Sequence, residues 1–324
     1  MGKIVALGEV VADIYREESS VEVELPLTAR PGGAPANVAV AAARLEEEAV
    51  FLGSVGGDLF GDFILRALEA EGVDTSGVRE TEPPTRTSLA FVEIGADGDR
   101  SFTFYRSDPA ADELLSPDDV LEDTLSGVSF VYFGSIPLIK DPVRSAIHKA
   151  ASGARELGVP VAFDVNFREH LWPDAGMARR IIEPLFDVSW VVKLGGDELS
   201  PLLGTESVEE AAEELLGRGA SLVLISQGSE GAFYATKEFS GSVPSHPVEV
   251  VDATGAGDAF FAAALAHLSN DPEGSLNEGR VYEATLRGTA AGAIACTDYG
   301  AMRALPTKDE LERFLNSSSN AGRG

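Results

Sequence analysis

Short apolar runs alternate with helical patterns along most of the chain. Ile4–Leu7, Val50–Val55, Phe130–Phe133, Val159–Asp164, Ser189–Lys193 and Leu222–Ser226 read as strands. Ala36–Leu45, Asp62–Glu71, Pro142–Leu157, Val208–Leu216, Ala259–Leu268 and Val281–Ala295 read as helices. Strand runs separated by helical patterns predict βαβ units and a mostly parallel sheet. The strands are apolar throughout rather than at alternate positions, as a sheet covered on both faces requires.

Two segments break this rhythm. In Val21–Arg30 the residues Val21, Val23, Leu25 and Leu27 alternate with polar ones, and Thr87–Tyr105 reads as two strands around a turn at Asp97-Gly98-Asp99. Period-two alternation gives one wet and one dry face. Together the segments predict a small antiparallel sheet, too short to fold alone and inserted as a lid. The polar tail after Asn316 is expected to fray. The expected organisation is one domain over 1–316, with lid segments at about 9–31 and 86–108 and a tail at 317–324.

Composition narrows the function classes. In 324 residues no apolar stretch approaches the length of a membrane span, and the N-terminus reaches Glu9 before a signal-peptide core can form. A single cysteine, Cys296, forms no internal disulfide and fits a reducing cytoplasm; its run Ala293–Cys296 predicts core packing. Lys plus Arg number 25 against 53 Asp plus Glu, a net charge of −28. That field disfavours nucleic acid and anionic membrane surfaces. With few lysines and many carboxylates, it predicts a surface adapted to high salt, where screening removes self-repulsion; the plainer alternative is an acidic mesophilic protein. The four histidines (His148, His170, His246 and His267) are scattered singly, without the spacing of a metal site.

The strongest chemical motif is Val248–Phe261, where a β-branched run enters Asp252-Ala253-Thr254-Gly255-Ala256-Gly257-Asp258 and an alanine-rich helix follows. Glycines where an anion approaches the backbone, followed by a helix N-terminus, form an anion hole. Asp258 lies where a carboxylate can take a proton from a nucleophile beside that anion, which points to phosphoryl transfer to a hydroxyl. The plainer alternative is a turn in which Asp252 or Asp258 caps the helix. A dinucleotide fingerprint lacks its third glycine, and no P-loop sequence occurs. A second glycine turn, Gly32-Gly33, precedes a helix carrying Asn37, whose amide both donates and accepts and so suits a sugar hydroxyl.

Gly32-Gly33-x-x-x-Asn37, Gly56-x-Asp58-x-Phe60-Gly61 and Asp252-x-Thr254-Gly255-Ala256-Gly257-Asp258 resemble, in order, the signatures of the ribokinase (PfkB-type) sugar kinases. The resemblance implies a three-layer α/β/α ribokinase-like sandwich with a β-sheet lid, and transfer of the ATP γ-phosphate to a sugar hydroxyl. It implies that Asp258 is the base, that the amides of Gly255, Ala256 and Gly257 are the anion hole, and that Asp13, Gly32, Gly33 and Asn37 contact the sugar. It places Ser226, Gly228 and Gly231 in a nucleotide loop and Thr289 beside the adenine. Lys193 and Glu198 serve phosphate and water-mediated Mg²⁺, and Asp252, Thr254, Ala295 and Gly300 form loops for K⁺. One departure stands out: Gly195 occupies the position where the family carries Asn ahead of Glu198.

The lid sequence Arg100–Asp112 and Asp164–Arg168 resemble the fructokinase and 2-keto-3-deoxygluconate kinase branch. Phe104 and Arg106 are expected over the sugar, although Phe102 and Phe104 also suit lid packing. Arg168 faces the sugar or the phosphate, or is a solvated arginine. A keto acid needs cationic clamps, which Arg106 and Arg168 can supply; a neutral ketose avoids the acidic field. Fructose is the expected acceptor and 2-keto-3-deoxygluconate the alternative. From another class, a non-catalytic sugar- or nucleotide-binding protein is the competing reading. An exposed lid edge predicts a homodimer.

Overall fold

A computed structural model of the protein describes residues 2–17, 23–94, 100–271 and 274–321. The strands are β1 (Lys3–Leu7), β2 (Val11–Arg16), β3 (Leu27–Gly32), β4 (Glu48–Leu52), β5 (Ser54–Gly56), β6 (Arg79–Thr81), β7 (Leu89–Ile94), β8 (Arg100–Tyr105), β9 (Phe130–Gly134), β10 (Val161–Asp164), β11 (Val191–Gly195), β12 (Leu222–Ser226), β13 (Ala232–Ala235) and β14 (Ser240–Val243). The helices are α1 (Ala34–Arg44), α2 (Leu59–Ala70), α3 (Glu122–Leu125), α4 (Val143–Glu156), α5 (Ala175–Phe186), α6 (Gly196–Leu203), α7 (Val208–Arg218), α8 (Ala256–Ser269), α9 (Glu278–Ala295), α10 (Ala301–Ala304) and α11 (Lys308–Ala321).

The large sheet runs β14-β13-β12-β11-β10-β9-β1-β4. Its strands are parallel except at β13 and β14, which close one edge antiparallel. Successive side chains serve opposite faces. Ile4 and Ala6 join a core with α1, α8 and α9, whereas Val5 and Leu7 join one with α4, α5 and α7. Both faces are therefore covered, and apart from the edge strand β14 the strands have no wet side.

Parallel pairing brings the carboxyl ends of the strands to one rim. Leu7 stands opposite Phe133, Asp164 opposite Lys193, and Gly195 opposite Ser226. Loops leaving such a rim are where doubly wound sheets bind ligands.

The lid is a second sheet ordered β3-β2-β7-β8 over that rim. Two of its pairings are antiparallel and the central one, β2 with β7, is parallel. One rung runs Arg30, Asp13, Ala90, Phe104 across all its strands.

The lid differs in extent from its sequence pattern. The alternation at Val23 and Leu25 is not strand: both precede β3 and are 90% and 60% exposed. The β2–β3 pairing begins at Arg16 opposite Leu27, so among the described residues Val23 and Leu25 lie outside the paired strands. Val21 and the Asp97-Gly98-Asp99 turn lie outside the described residues. At the other end, α11 continues through Ala321, so helix occupies part of the segment expected to fray. Cys296 is half-buried at the C-cap of α9, not in the core; Val251 and Asp252 donate to its carbonyl. Among the described residues no helix is long and apolar enough to cross a membrane.

Candidate active site

A cleft of about 580 Å³ lies between the rim and the lid. At its centre, α8 begins at Gly255, whose φ of 81° favours glycine and whose Cβ position would meet Ala301 at 2.9 Å. The helix is thereby aimed with its N-terminus into the cleft. Gly255 and Gly257 both line it. Ala256 does not, and its N–H donates to the Ala253 carbonyl at 3.2 Å. Of the three residues expected to form the anion hole, the two glycines border the cleft. Lys193 reaches the same place from β11: a Cβ on Gly257 would lie 3.0 Å from Lys193 Nζ.

Lys193 is buried and bonded to the fully buried Asp164 at 2.9 and 3.1 Å. Burial opposes its charge, but Asp164 and Glu198 outweigh burial and hold its pKa above the ordinary lysine value. A permanent cation thus sits beside a positive helix end, an arrangement for phosphate.

Asp258 follows in the first turn of α8, 8% exposed. Asn37 Nδ2 donates to its Oδ2 at 2.7 Å. Burial pushes its pKa up to about 6; the Asn37 hydrogen bond, Lys193 and Arg168 oppose that rise, and Asp164 adds to it. A carboxylate poised just below neutrality is suited to general-base catalysis.

Asn37 is placed by α1, whose N-cap Gly33 has φ 105°. A Cβ there would lie 2.6 Å from the Glu9 carbonyl oxygen. Gly32 makes room in the same way for Asp13, whose Oδ2 lies 2.2 Å from the position of a Gly32 Cβ. Asp13, Gly33, Asn37 and Phe104 line the lid end of the cleft. Arg106 lines it too, with its guanidinium 5.0 Å from the Phe104 ring and 3.0 Å from Asp112. Arg168 lies exposed at the opposite wall.

Glu198 and Ser226 also line the cleft. Glu198 accepts from the Phe167 amide at 2.5 Å and the Gly195 amide at 2.8 Å, and burial raises its pKa to about 7. Where Asn is missing, Asp197 fills the space: a Cβ on Gly195 would lie 2.5 Å from Asp197 Oδ1. The described residues contain no cluster of three or more His, Cys, Asp or Glu for a metal ion. Glu198 with Asp197 at the phosphate end suits Mg²⁺, which takes one or two carboxylates and completes its shell with water and phosphate.

Other residues singled out by the resemblance stand back from this cleft. Thr254 lines it, but Asp252 and Gly300 lie behind, where Asp252 accepts from Thr254 N at 2.6 Å and Gly300 N at 2.8 Å. Ala295 is buried at the end of α9. Gly228 and Gly231 form the turn after β12; a Cβ on Gly231 would lie 2.0 Å from the Val243 carbonyl oxygen. Thr289 is buried on α9 and donates to the Leu286 carbonyl at 2.9 Å. Three buried acids around the site, Glu9, Asp112 and Asp164, were given no site role by the sequence. Asp164 and Glu9 follow apolar strands and were legible as polar residues at strand ends; Asp112 carried no such signal.

The model of the pfkB family carbohydrate kinases matches residues 1–308. The chain belongs to the pfkB family of carbohydrate kinases. Fructokinase-1 of Oryza sativa subsp. japonica is 39% identical over 318 residues, 97% of this kinase and 98% of the rice protein. A Vibrio cholerae O395 fructokinase double mutant, solved with fructose, ADP and potassium ion, superposes with a TM-score of 0.87 at 34% identity, covering 97% of this kinase and 98% of that chain. The aminoimidazole riboside kinase of Salmonella enterica, solved with its riboside and an ATP analogue, gives 0.83 at 32% identity over 97% and 99%. The kinase also has the family's architecture, a mostly parallel sheet between helical layers with a separate lid sheet.

Proposed function

We propose that the protein is an ATP-dependent fructokinase. The observation that carries the reading is Asp258: a buried carboxylate between a helix-N-terminal anion hole and a pocket of hydroxyl-binding groups. Asp13, Gly33 and Asn37 hold the sugar. Asp258 takes the proton of a primary hydroxyl as its oxygen attacks the γ-phosphorus of ATP and the bond to the β-phosphate oxygen breaks. The Gly255 and Gly257 amides and Lys193 receive the charge on the transferring group. Glu198 with Asp197 would hold Mg²⁺ through water, which would supply neutralisation of phosphate charge, and Asp252, Thr254, Ala295 and Gly300 would hold K⁺. The lid excludes water, which limits hydrolysis of ATP.

The retained base argues against a binding-only protein. The keto-acid alternative needs two cationic clamps, and of Arg106 and Arg168 the first is already paired with Asp112. The similarity to fructokinases over nearly the whole chain supports a ketose. The exposed residues Val23, Leu25 and Tyr105 suit pairing with a second copy, and a sequence with Cys296 as its single cysteine suits a reducing cytoplasm. ADP release from MgATP in KCl, measured with fructose, 2-keto-3-deoxygluconate, ribose and aminoimidazole riboside, tests the acceptor. Turnover with fructose is expected; turnover confined to the keto acid or a riboside overturns the assignment. Sedimentation at several protein concentrations tests the dimer.

A further inference from the structure

Between the end of β1 and the start of β2, Glu9 enters the cleft from beneath the lid. It is 5% exposed, and its Oε2 has no hydrogen-bond partner. Arg106 reaches the same cleft from the end of β8. Its Nη2 is bonded to Asp112, which also accepts from Ser88, but its Nε is buried and unpartnered. Glu9 and Arg106 are not paired with each other. Two complementary buried groups thus line one cavity. Leaving such groups without a partner in the interior is costly. Core packing gives no reason for a carboxyl here, and a missing partner inside a substrate cleft points to a ligand atom.

We propose that Glu9 is a specificity-determining contact for the acceptor, taking one sugar hydroxyl jointly with the Nε–H of Arg106. This rests on the sugar kinase reading above. The matching atom must accept from Arg106 and engage a carboxyl, which a hydroxyl oxygen does with its lone pairs and its proton. Arg106 is already bonded to Asp112, and Asp13 stands beside it at the lid end of the cleft, so this end suits a neutral hydroxyl better than a carboxylate.

The state of Glu9 follows from its neighbours. Burial, the chief cause, with the charges of Asp112 and Asp258 raises its pKa to about 8, against the opposing pull of its own backbone N–H and Arg106. Asp13 faces it from β2, and α1 presents the uncharged Asn37. Near neutral pH the carboxyl is mostly protonated, with one O–H donor and one acceptor oxygen. An amide has the same complement, so Glu9→Gln imitates the native group and Glu9→Ala removes it.

The test compares wild type, Glu9→Gln and Glu9→Ala in steady-state kinetics with varied fructose and varied MgATP, alongside thermal melting. Glu9→Ala is expected to raise the fructose KM by about tenfold, the worth of one hydrogen bond, with the ATP KM within about twofold. Its melting temperature stays level or rises, because an unsatisfied buried acid has gone; a merely structural residue would lower it. Glu9→Gln restores the fructose KM near neutral pH. Wild type loses fructose affinity as pH rises through about 8, while Glu9→Gln does not follow. An unchanged fructose KM in Glu9→Ala, with wild type active on fructose, overturns this proposal alone. A wild type without sugar-dependent turnover overturns the kinase reading and this one with it.

Discussion

The side-chain amide of Asn37 donates to Asp258 Oδ2 at 2.7 Å. The first helix of the domain thereby holds a carboxylate delivered by another helix more than two hundred residues later. The bond favours the charged form of Asp258 against the burial that disfavours it. Removing it by Asn37→Ala is expected to move the acid limb of kcat/KM to higher pH and to weaken fructose binding. A pH–rate profile measured at subsaturating fructose checks the shift; a limb at the wild-type position would assign Asn37 to the sugar alone.

Asp258 itself fixes where the wild-type limb falls. A base must be unprotonated, so kcat/KM is expected to drop below pH about 6. Asp258→Asn should cost at least about 10²–10⁴ in kcat, the range for general-base catalysis. Its effect on stability has the opposite sense. The folded pKa of about 6 stands above the ordinary 3.8, so the folded state holds this proton more tightly. The stability that the group contributes is fully present below pH about 4 and is lost as pH rises through about 6. At neutral pH the ligand-free Asn variant should melt no lower than wild type, with the gap closing toward pH 4. Melting curves of both proteins across that range measure it.

The fold was legible because most of its strands are buried on both faces and therefore written as unbroken apolar runs. Pieces lacking that signature were not. α5 carries Gly176 and Pro184, which blur its helical period, yet Ala178, Ile182 and Leu185 still fall on one buried face. β14 reads Ser-Gly-Ser-Val, and its position comes from pairing with β13 rather than from its own apolar content. In the cleft, residues inside glycine motifs were visible since their backbone geometry restricts the sequence. Glu9 and Asp112 lie in no glycine motif, and tertiary burial is what distinguishes them from the many solvated acids of this chain.

Lys193 and Asp164 sit opposite each other on adjacent strands, both buried. Breaking such a pair on one side strands a charge in the interior. Lys193→Met is therefore expected to cost about 3–5 kcal/mol of stability and to abolish phosphate-end catalysis. Lys193→Met combined with Asp164→Leu removes both charges and should recover much of the stability while leaving the enzyme inactive. Urea denaturation of the single and double variants separates the two effects. A double variant as unstable as the single one would show that packing, not charge, fixes these positions.

The net charge of −28 makes two demands on salt that can be told apart. Self-repulsion among exposed carboxylates acts through the bulk field, which any monovalent salt screens. The melting midpoint should therefore rise with KCl and NaCl alike. A cation held at the loops joined by Asp252 and Gly300 is a local matter of fit and acts on the anion hole at Gly255. Turnover should therefore rise more in KCl than in NaCl at matched ionic strength. Stability and kcat measured in both salts resolve the pair: a midpoint indifferent to either salt removes the salt-adapted surface, and equal turnover in both removes the selective cation loop.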